Sequence, residues 1–323
     1  MNMKNIVTAL LLLSRLSLSA QLSVISNNKP LSFLNPALQN YSMEKGVVSA
    51  SVIASPFVQE QPELNYLALA EFKVNDDFRV GIHGSKAANR LNSNTTFKAY
   101  GSYRLELEKE NYLIFGVDVG GYNDIFKPNE FNKVLAPNKF EYDDTTTSGL
   151  DLGFGVAYNY SGFTFGIGFS KLNSPPIVPF PDAIWELTAD SSSFQLKDTT
   201  IKNPDEGATF GLQSNVNVMY EWDANDKVTI LHSLQFGNID LAGVDFIGFQ
   251  NIATINKRHS LGLGGYYNGE IGFIASAGFG FTESLKLELS SFFAESFNYD
   301  VAQSEYISEG YKPALELNLR IQF

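Results

Sequence analysis

Apolar side chains in this sequence recur at every second position, and that rhythm limits the fold more than any motif does. At the end of the chain, Leu315, Leu317, Leu319, Ile321 and Phe323 alternate with Glu316, Asn318, Arg320 and Gln322. Successive side chains of a strand point to opposite faces, so a period of two marks a strand with one apolar and one polar face. Phe163, Phe165, Ile167 and Phe169 alternate in the same way with Thr164, Gly166, Gly168 and Ser170. Ile271, Phe273, Ala275, Ala277 and Phe279 repeat the pattern, as do Phe210, Leu212, Val216, Val218 and Tyr220. Over 96–107 a polar face of Thr96, Lys98, Tyr100, Ser102, Arg104 and Glu106 opposes Phe97, Ala99, Tyr103, Leu105 and Leu107. No segment of comparable length holds a 3.6-residue period. The 26 Phe and 15 Tyr residues also favour strands.

Turn residues divide the chain into about fourteen such segments. They fall near 45–54, 64–74, 78–87, 93–107, 111–122, 148–160, 163–172, 208–221, 228–237, 241–255, 260–267, 270–280, 285–294 and 312–323. Most run about ten residues, the length a tilted strand needs to cross a bilayer. After every second segment the connection is short, holding Asn75-Asp76-Asp77, Glu108-Lys109-Glu110, Ser161-Gly162, Asn225-Asp226, Lys257-Arg258 or Glu283-Ser284. The other set includes the long connections 124–147, 173–207 and 295–311, with Asn268-Gly269 as a tight exception.

Short turns on one side and long loops on the other predict an all-β fold, a transmembrane antiparallel β-barrel of about 14 strands over 45–323 in the outer membrane. An even strand number puts both termini on the short-turn, periplasmic side. Leu315, Leu317, Leu319, Ile321 and Phe323 are expected to face lipid, and Glu316 and Arg320 the lumen. A soluble secreted β-sandwich is the alternative. The terminal strand, the short/long asymmetry and the scarcity of Pro within segments weigh against it, and the lack of a 20–50-residue repeat weighs against a propeller.

At the N-terminus, Lys4 precedes the apolar run Ile6–Leu13, and Ser17-Leu18-Ser19-Ala20 follows. This reads as a signal peptide over 1–20, with cleavage after Ala20 or Ser19. The run is too short to span a bilayer as a helix, which argues against an anchor. Residues 21–44 are then expected to form a periplasmic N-terminal segment.

The chain has no cysteine, which excludes disulfides, thiolate zinc sites, iron–sulfur clusters and lipid acylation on cysteine. It carries 35 acids against 23 bases, so a nucleic-acid footprint is not expected. The acids concentrate in the three long connections, as an extracellular crown would. His83, His232 and His259 are scattered, and no G-x-S-x-G, P-loop or G-x-G-x-x-G is present. The period-two glycines at 153, 155, 262 and 264 lie in strands, where they relieve crowding on an inward face or allow curvature. Asp143-Asp144 and Asp205-Glu206 are candidates for calcium, but without the D-x-[DN]-x-[DN]-G spacing a solvated acidic loop is the plainer reading. The expectation is therefore a non-enzymatic protein with no catalytic residue, cofactor or metal.

The longest connection opens on Lys171-Leu172-Asn173-Ser174-Pro175-Pro176. Paired prolines end the seventh strand and stiffen the exit. Ile177, Val178, Phe180, Ile184 and Trp185 follow and offer apolar contact area. Pro175, Pro176, Ile177, Val178, Phe180 and Trp185 are the candidate partner-binding residues, either as a rim that docks a secreted protein or as a lid folded into the barrel.

The block Pro30-Leu31-Ser32-Phe33-Leu34-Asn35-Pro36-Ala37-Leu38 resembles the start of the PorP/SprF family of outer-membrane proteins associated with type IX secretion. The strand Phe165-Gly166-Ile167-Gly168-Phe169-Ser170, leading through Leu172 and Asn173 to Pro175, is similar to that family's mid-chain pattern, as are the terminal strand and the overall length. Leu38-Gln39-Asn40 replaces the glycine turn expected after Ala37. The resemblance implies export or cell-surface anchoring of a specific secreted adhesin or cargo protein held at the extracellular loops. It also implies association with the type IX translocon and periplasmic components, with outer-membrane lipid around the wall. A diffusion channel or small-molecule transporter on the same barrel is the alternative.

Overall fold

The computed structural model describes residues 31–39, 45–54, 64–88, 92–127, 144–173, 182–187, 194–200, 212–240, 243–267, 271–282, 284–300 and 305–323. A 3-10 turn at Leu31–Phe33 precedes the strands. These are β1 (Gly46–Ala54), β2 (Leu64–Lys73), β3 (Phe78–Ala88), β4 (Asn92–Glu108), β5 (Asn111–Phe126), β6 (Thr145–Tyr160), β7 (Phe163–Ser170) and β8 (Asp182–Leu187). They continue as β9 (Phe194–Thr200), β10 (Gln213–Asn225), β11 (Val228–Asp240), β12 (Gly243–Ile255), β13 (His259–Tyr267), β14 (Ile271–Gly280), β15 (Leu285–Asp300) and β16 (Glu305–Gln322).

Fourteen strands close into one barrel, each paired with its sequence neighbour except at two joints. At the first, β7 pairs with β10, and the hairpin β8–β9 stands outside the ring. At the second, β1 pairs antiparallel with β16 from Val47↔Gln322 to Ala54↔Leu315, which closes the wall. The architecture is the one the alternation predicts.

The wall is polar inside and apolar outside. On β16, Leu317 and Leu319 are 49% and 42% exposed, whereas Glu316 and Asn318 are 1%. Ser49, Ser51, Asn65, Glu71, Arg79, Lys98 and Ser102 likewise turn inward and are buried. Val48, Val52, Tyr66, Ile82, Val117 and Leu152 turn outward and are exposed. Outward aromatics Phe72, Phe78, Tyr160, Phe163, Phe281 and Phe323 flank the short connections, forming the interfacial girdle of a membrane barrel. Phe72 and Phe323 sit side by side there, ring centroids 6.1 Å apart, and brace the closing seam. The two-residue turn between β6 and β7 uses left-handed backbone at Ser161 and Gly162, and the three-residue turn between β12 and β13 does so at Asn256 and Lys257.

The strands run past the limits that apolar alternation set. Residues 295–311, expected as a loop, are largely strand: β15 and β16 stay paired out to Asp300↔Glu305. The 124–147 connection is shortened in the same way by Phe126↔Thr145, and 173–207 contains β8 and β9. Beyond the bilayer both faces of a strand meet water, so no apolar rhythm marks those stretches.

Deleting residues 315–323 removes the closing half of β16 and leaves unpaired edges on β1 and β15 in lipid. The expected result is loss of the heat-modifiable barrel band on unheated gels. Leu317→Arg, on the lipid face, is expected to cost about 2–4 kcal/mol of folding stability in vesicles, whereas a change at the solvent-side Asp76 leaves it unaltered.

Candidate functional site

The site is the lumen, and its shape begins with glycine. Gly116 on β5, Gly155 on β6 and Gly166 and Gly168 on β7 all face inward, so three adjacent strands present bare backbone. Residues 31–39 fill the hollow. A Cβ at Gly168 would stand 2.9 Å from Asn35 Cβ, and one at Gly166 3.0 Å from Leu38 Cδ2. At Gly116 and Gly155 an added Cβ would overlap Pro36, Ala37 and Asn35 outright. Side chains at these positions would exclude the segment.

The segment folds as a compact strap. The amides of Leu34 and Asn35 donate to the Leu31 carbonyl at 2.9 and 3.0 Å, and that of Leu38 to the Asn35 carbonyl at 2.9 Å. The Ala37 amide donates to Asn35 Oδ1 at 2.9 Å, so Asn35 closes its own turn around Pro36, whose ring fixes φ. Each member of the Asn-Pro-Ala block therefore has a physical task. Asn35 and Ala37 are 0% exposed. Ala37 and Leu38 pack on Ile114 and Ala157, with Leu31, Tyr112 and Met219 around them.

Polar contacts hold the first half of the strap on two sides of the ring. Ser32 Oγ donates to Glu71 on β2, and Tyr100 on β4 donates to the same carboxylate oxygen at 3.0 Å. The Phe33 ring lies 4.6 Å from that of His83 on β3. From the other side of the lumen Asn215 Nδ2, on β10, donates to the Leu34 carbonyl at 2.8 Å. The strap thus touches every wall strand from β2 through β7 to β10. Residues 21–44 are expected from sequence as a periplasmic segment, but 31–39 lie inside the barrel wall. The reason is a vacancy made by glycines far along the chain.

Two further clusters occupy the interior. Lys98 Nζ bridges Asp118 Oδ1 at 2.9 Å and Asp151 Oδ2 at 3.0 Å. Toward the long-loop ends of β1 and β12–β16, Ile53, Phe246, Tyr266, Ile274, Phe292 and Ala314 form an apolar cluster.

Beyond the end of β7, the edge of β6 turned away from β5 has no strand partner among the described residues, and Asn173 bonds to it. Its Nδ2 donates to the Leu150 carbonyl at 2.8 Å, and its Oδ1 accepts from the Leu152 amide at 3.2 Å. The Leu172 amide donates to the Leu152 carbonyl at 3.0 Å. Lys171-Leu172-Asn173 is therefore an edge cap for β6.

Pro175, Pro176, Ile177, Val178 and Phe180 lie outside the described residues. Trp185 falls on β8, in register with Leu196 of β9. Asp143, Asp205 and Glu206 also lie outside the described residues, and no metal-sized carboxylate or histidine cluster occurs among those described. His83 is buried in the lumen as a packing ring, while His232 and His259 are exposed on the outer wall. The strap went unrecognised as a luminal element in the sequence. Its one signal was Asn-Pro-Ala together with inward glycines at period two on neighbouring strands.

An antiparallel barrel with an apolar exterior, a polar inner wall and its own N-terminal segment packed against that wall is an outer-membrane β-barrel. Within that class, the chain belongs to the type IX secretion system membrane protein family PorP/SprF, which it matches over residues 30–320. The match begins at the strap. Among solved structures, the CymD monoaromatic hydrocarbon channel is 7% identical, with a TM-score of 0.51 over 93% of this chain and 94% of that one. A Pseudomonas aeruginosa FadL homologue is 10% identical, with a TM-score of 0.49 over 93% and 95%. At such identities the likeness is one of fold alone. No curated protein matches the sequence.

Removing the strap is expected to open the barrel. The 31–39 deletion, and separately Gly155→Leu, should raise single-channel conductance in planar bilayers while the unheated barrel band persists; the intact protein should stay closed. Glu71→Ala removes the acceptor that the Ser32 and Tyr100 hydroxyls share and is expected to lower stability by about 1–3 kcal/mol in urea melts.

Proposed function

We propose that this protein is a closed outer-membrane anchor of type IX secretion that holds one secreted cargo protein, such as an adhesin, at its long-loop end. The strap seated in the lumen is the observation that supports the reading, because a barrel partly filled by its own chain suits holding better than passage. Family membership supports work beside the type IX translocon. In this reading the signal peptide over 1–20 is removed, both termini and the short turns face the periplasm, and those turns meet the periplasmic components. The protein performs no chemistry.

The docking end is assigned to the 173–207 connection. Its stiff Pro175-Pro176 exit and the apolar Ile177, Val178, Phe180 and Trp185 offer contact area, and the acids of the adjoining connections form a rim. An acidic rim favours a basic or calcium-bridged partner surface, and encounter with it weakens as salt rises. A diffusion channel is the second reading, favoured by the polar inner wall.

Deleting residues 177–203 separates the two. Loss of surface cargo without new conductance is the expected result. Unchanged cargo with a newly conducting barrel would overturn docking and assign this connection to the gating of a channel.

A further inference from the structure

The lipid-facing wall carries one polar pair in its middle. His232 on β11 and Asn251 on β12 sit opposite each other in register, and both are exposed. Along β11 the outward positions on either side are Val228 and Ile230 below and Leu234 and Phe236 above. Along β12 they are Ile255 and Ala253 below and Phe249 and Ile247 above. The pair therefore lies two outward residues from either end of its apolar stripe, inside the hydrocarbon layer. Phe249 and Leu263 beside it are 53% and 70% exposed, and apart from the Tyr220 hydroxyl its neighbours on the wall are apolar.

Polar side chains facing hydrocarbon are costly unless their hydrogen bonds are met. Within the pair one bond is made: His232 Nδ1 lies 2.6 Å from Asn251 Oδ1. The Tyr220 ring stacks beside the imidazole, 6.4 Å away and 11° from parallel, and fixes its plane. An amide oxygen only accepts, so Nδ1 is the donor, and in that tautomer Nε2 is left as an acceptor. Asn251 Nδ2 is left as a donor. One donor and one acceptor, side by side on a flat wall, are complementary to the same pair turned by half a revolution about the membrane normal.

We propose that this face is the contact between two copies of the protein in the membrane. Asn251 Nδ2 of each copy donates to His232 Nε2 of the other, forming a closed ring of four hydrogen bonds across a two-fold axis. Such isologous pairing is the commonest closed symmetry. It places the two copies upright and side by side, with their long-loop ends on the same side. Small outward residues next to the pair, Ala253 on β12 and Ala275 and Ala277 on β14, leave room for close approach between walls.

The chain has no cysteine, so a single introduced thiol reports the contact without background. Full-length protein with Leu234→Cys, beside the pair, and with Leu317→Cys, on β16, is treated in native outer membranes with a short bis-maleimide. The expected result is a homodimer band from Leu234→Cys alone. Adding His232→Leu and Asn251→Leu, which suit lipid better than the native pair, should weaken dimerisation about tenfold, the scale of the intramembrane hydrogen bonds removed. The unheated barrel band should be unchanged in both backgrounds. No dimer from a Leu234→Cys protein that takes up monofunctional maleimide would overturn the proposal. So would crosslinking to a different protein, or a dimer indifferent to the double substitution.

Discussion

Inside a bilayer no water is available to the backbone, and every amide and carbonyl of the wall must find its partner in another strand. This requirement governs the whole structure. It makes the ring close through β1 and β16, and it makes β7 pair with β10 across a long connection. Where the ladder runs short of partners, at the outer half of β6, the side chain of Asn173 bonds to the exposed backbone instead. Because lipid lies outside, the usual arrangement of a protein is inverted, with leucine and phenylalanine outward and glutamate, arginine and lysine inward.

A closed wall of this size encloses a polar space, and this chain seats its own N-terminal strap within it. The strap is held by shape and by hydrogen bonds together. Glycines on β5, β6 and β7 give up their side chains so that Asn35, Pro36 and Ala37 can lie against backbone. Glu71 and Asn215 then hold it at Ser32 and Leu34. The charges of the inner wall are met largely within the wall, as at Lys98 between Asp118 and Asp151. The consequence is a rigid ring whose interior is a core and whose two rims differ.

That division of labour suits a member of a secretion-system family. The wall provides a fixed position in the membrane, and the strap packs against its inner face from β2 round to β10. The longer strands of one end, β4 to β6 and β15 to β16, carry hairpins clear of the bilayer, where a partner can reach them. A polar pair within the lipid-facing wall adds a lateral direction, in the plane of the membrane, that a barrel working alone has no need of.

Strand number, face assignment and the placement of Leu317 outside and Glu316 inside were determined by the sequence, because lipid on one side and polar lumen on the other impose a period of two on the residues themselves. Family membership was also legible, from the Asn-Pro-Ala block and the strand ending in Asn173. The strand extensions beyond the bilayer were not, since water on both faces erases the period. Nor was the location of the strap: its seat is made by Gly116, Gly155, Gly166 and Gly168, which converge only when the ring closes. The pairing of His232 with Asn251 is of the same kind. Each residue reads as an isolated polar position in its own strand, and only the register of β11 against β12 sets them side by side on the lipid face.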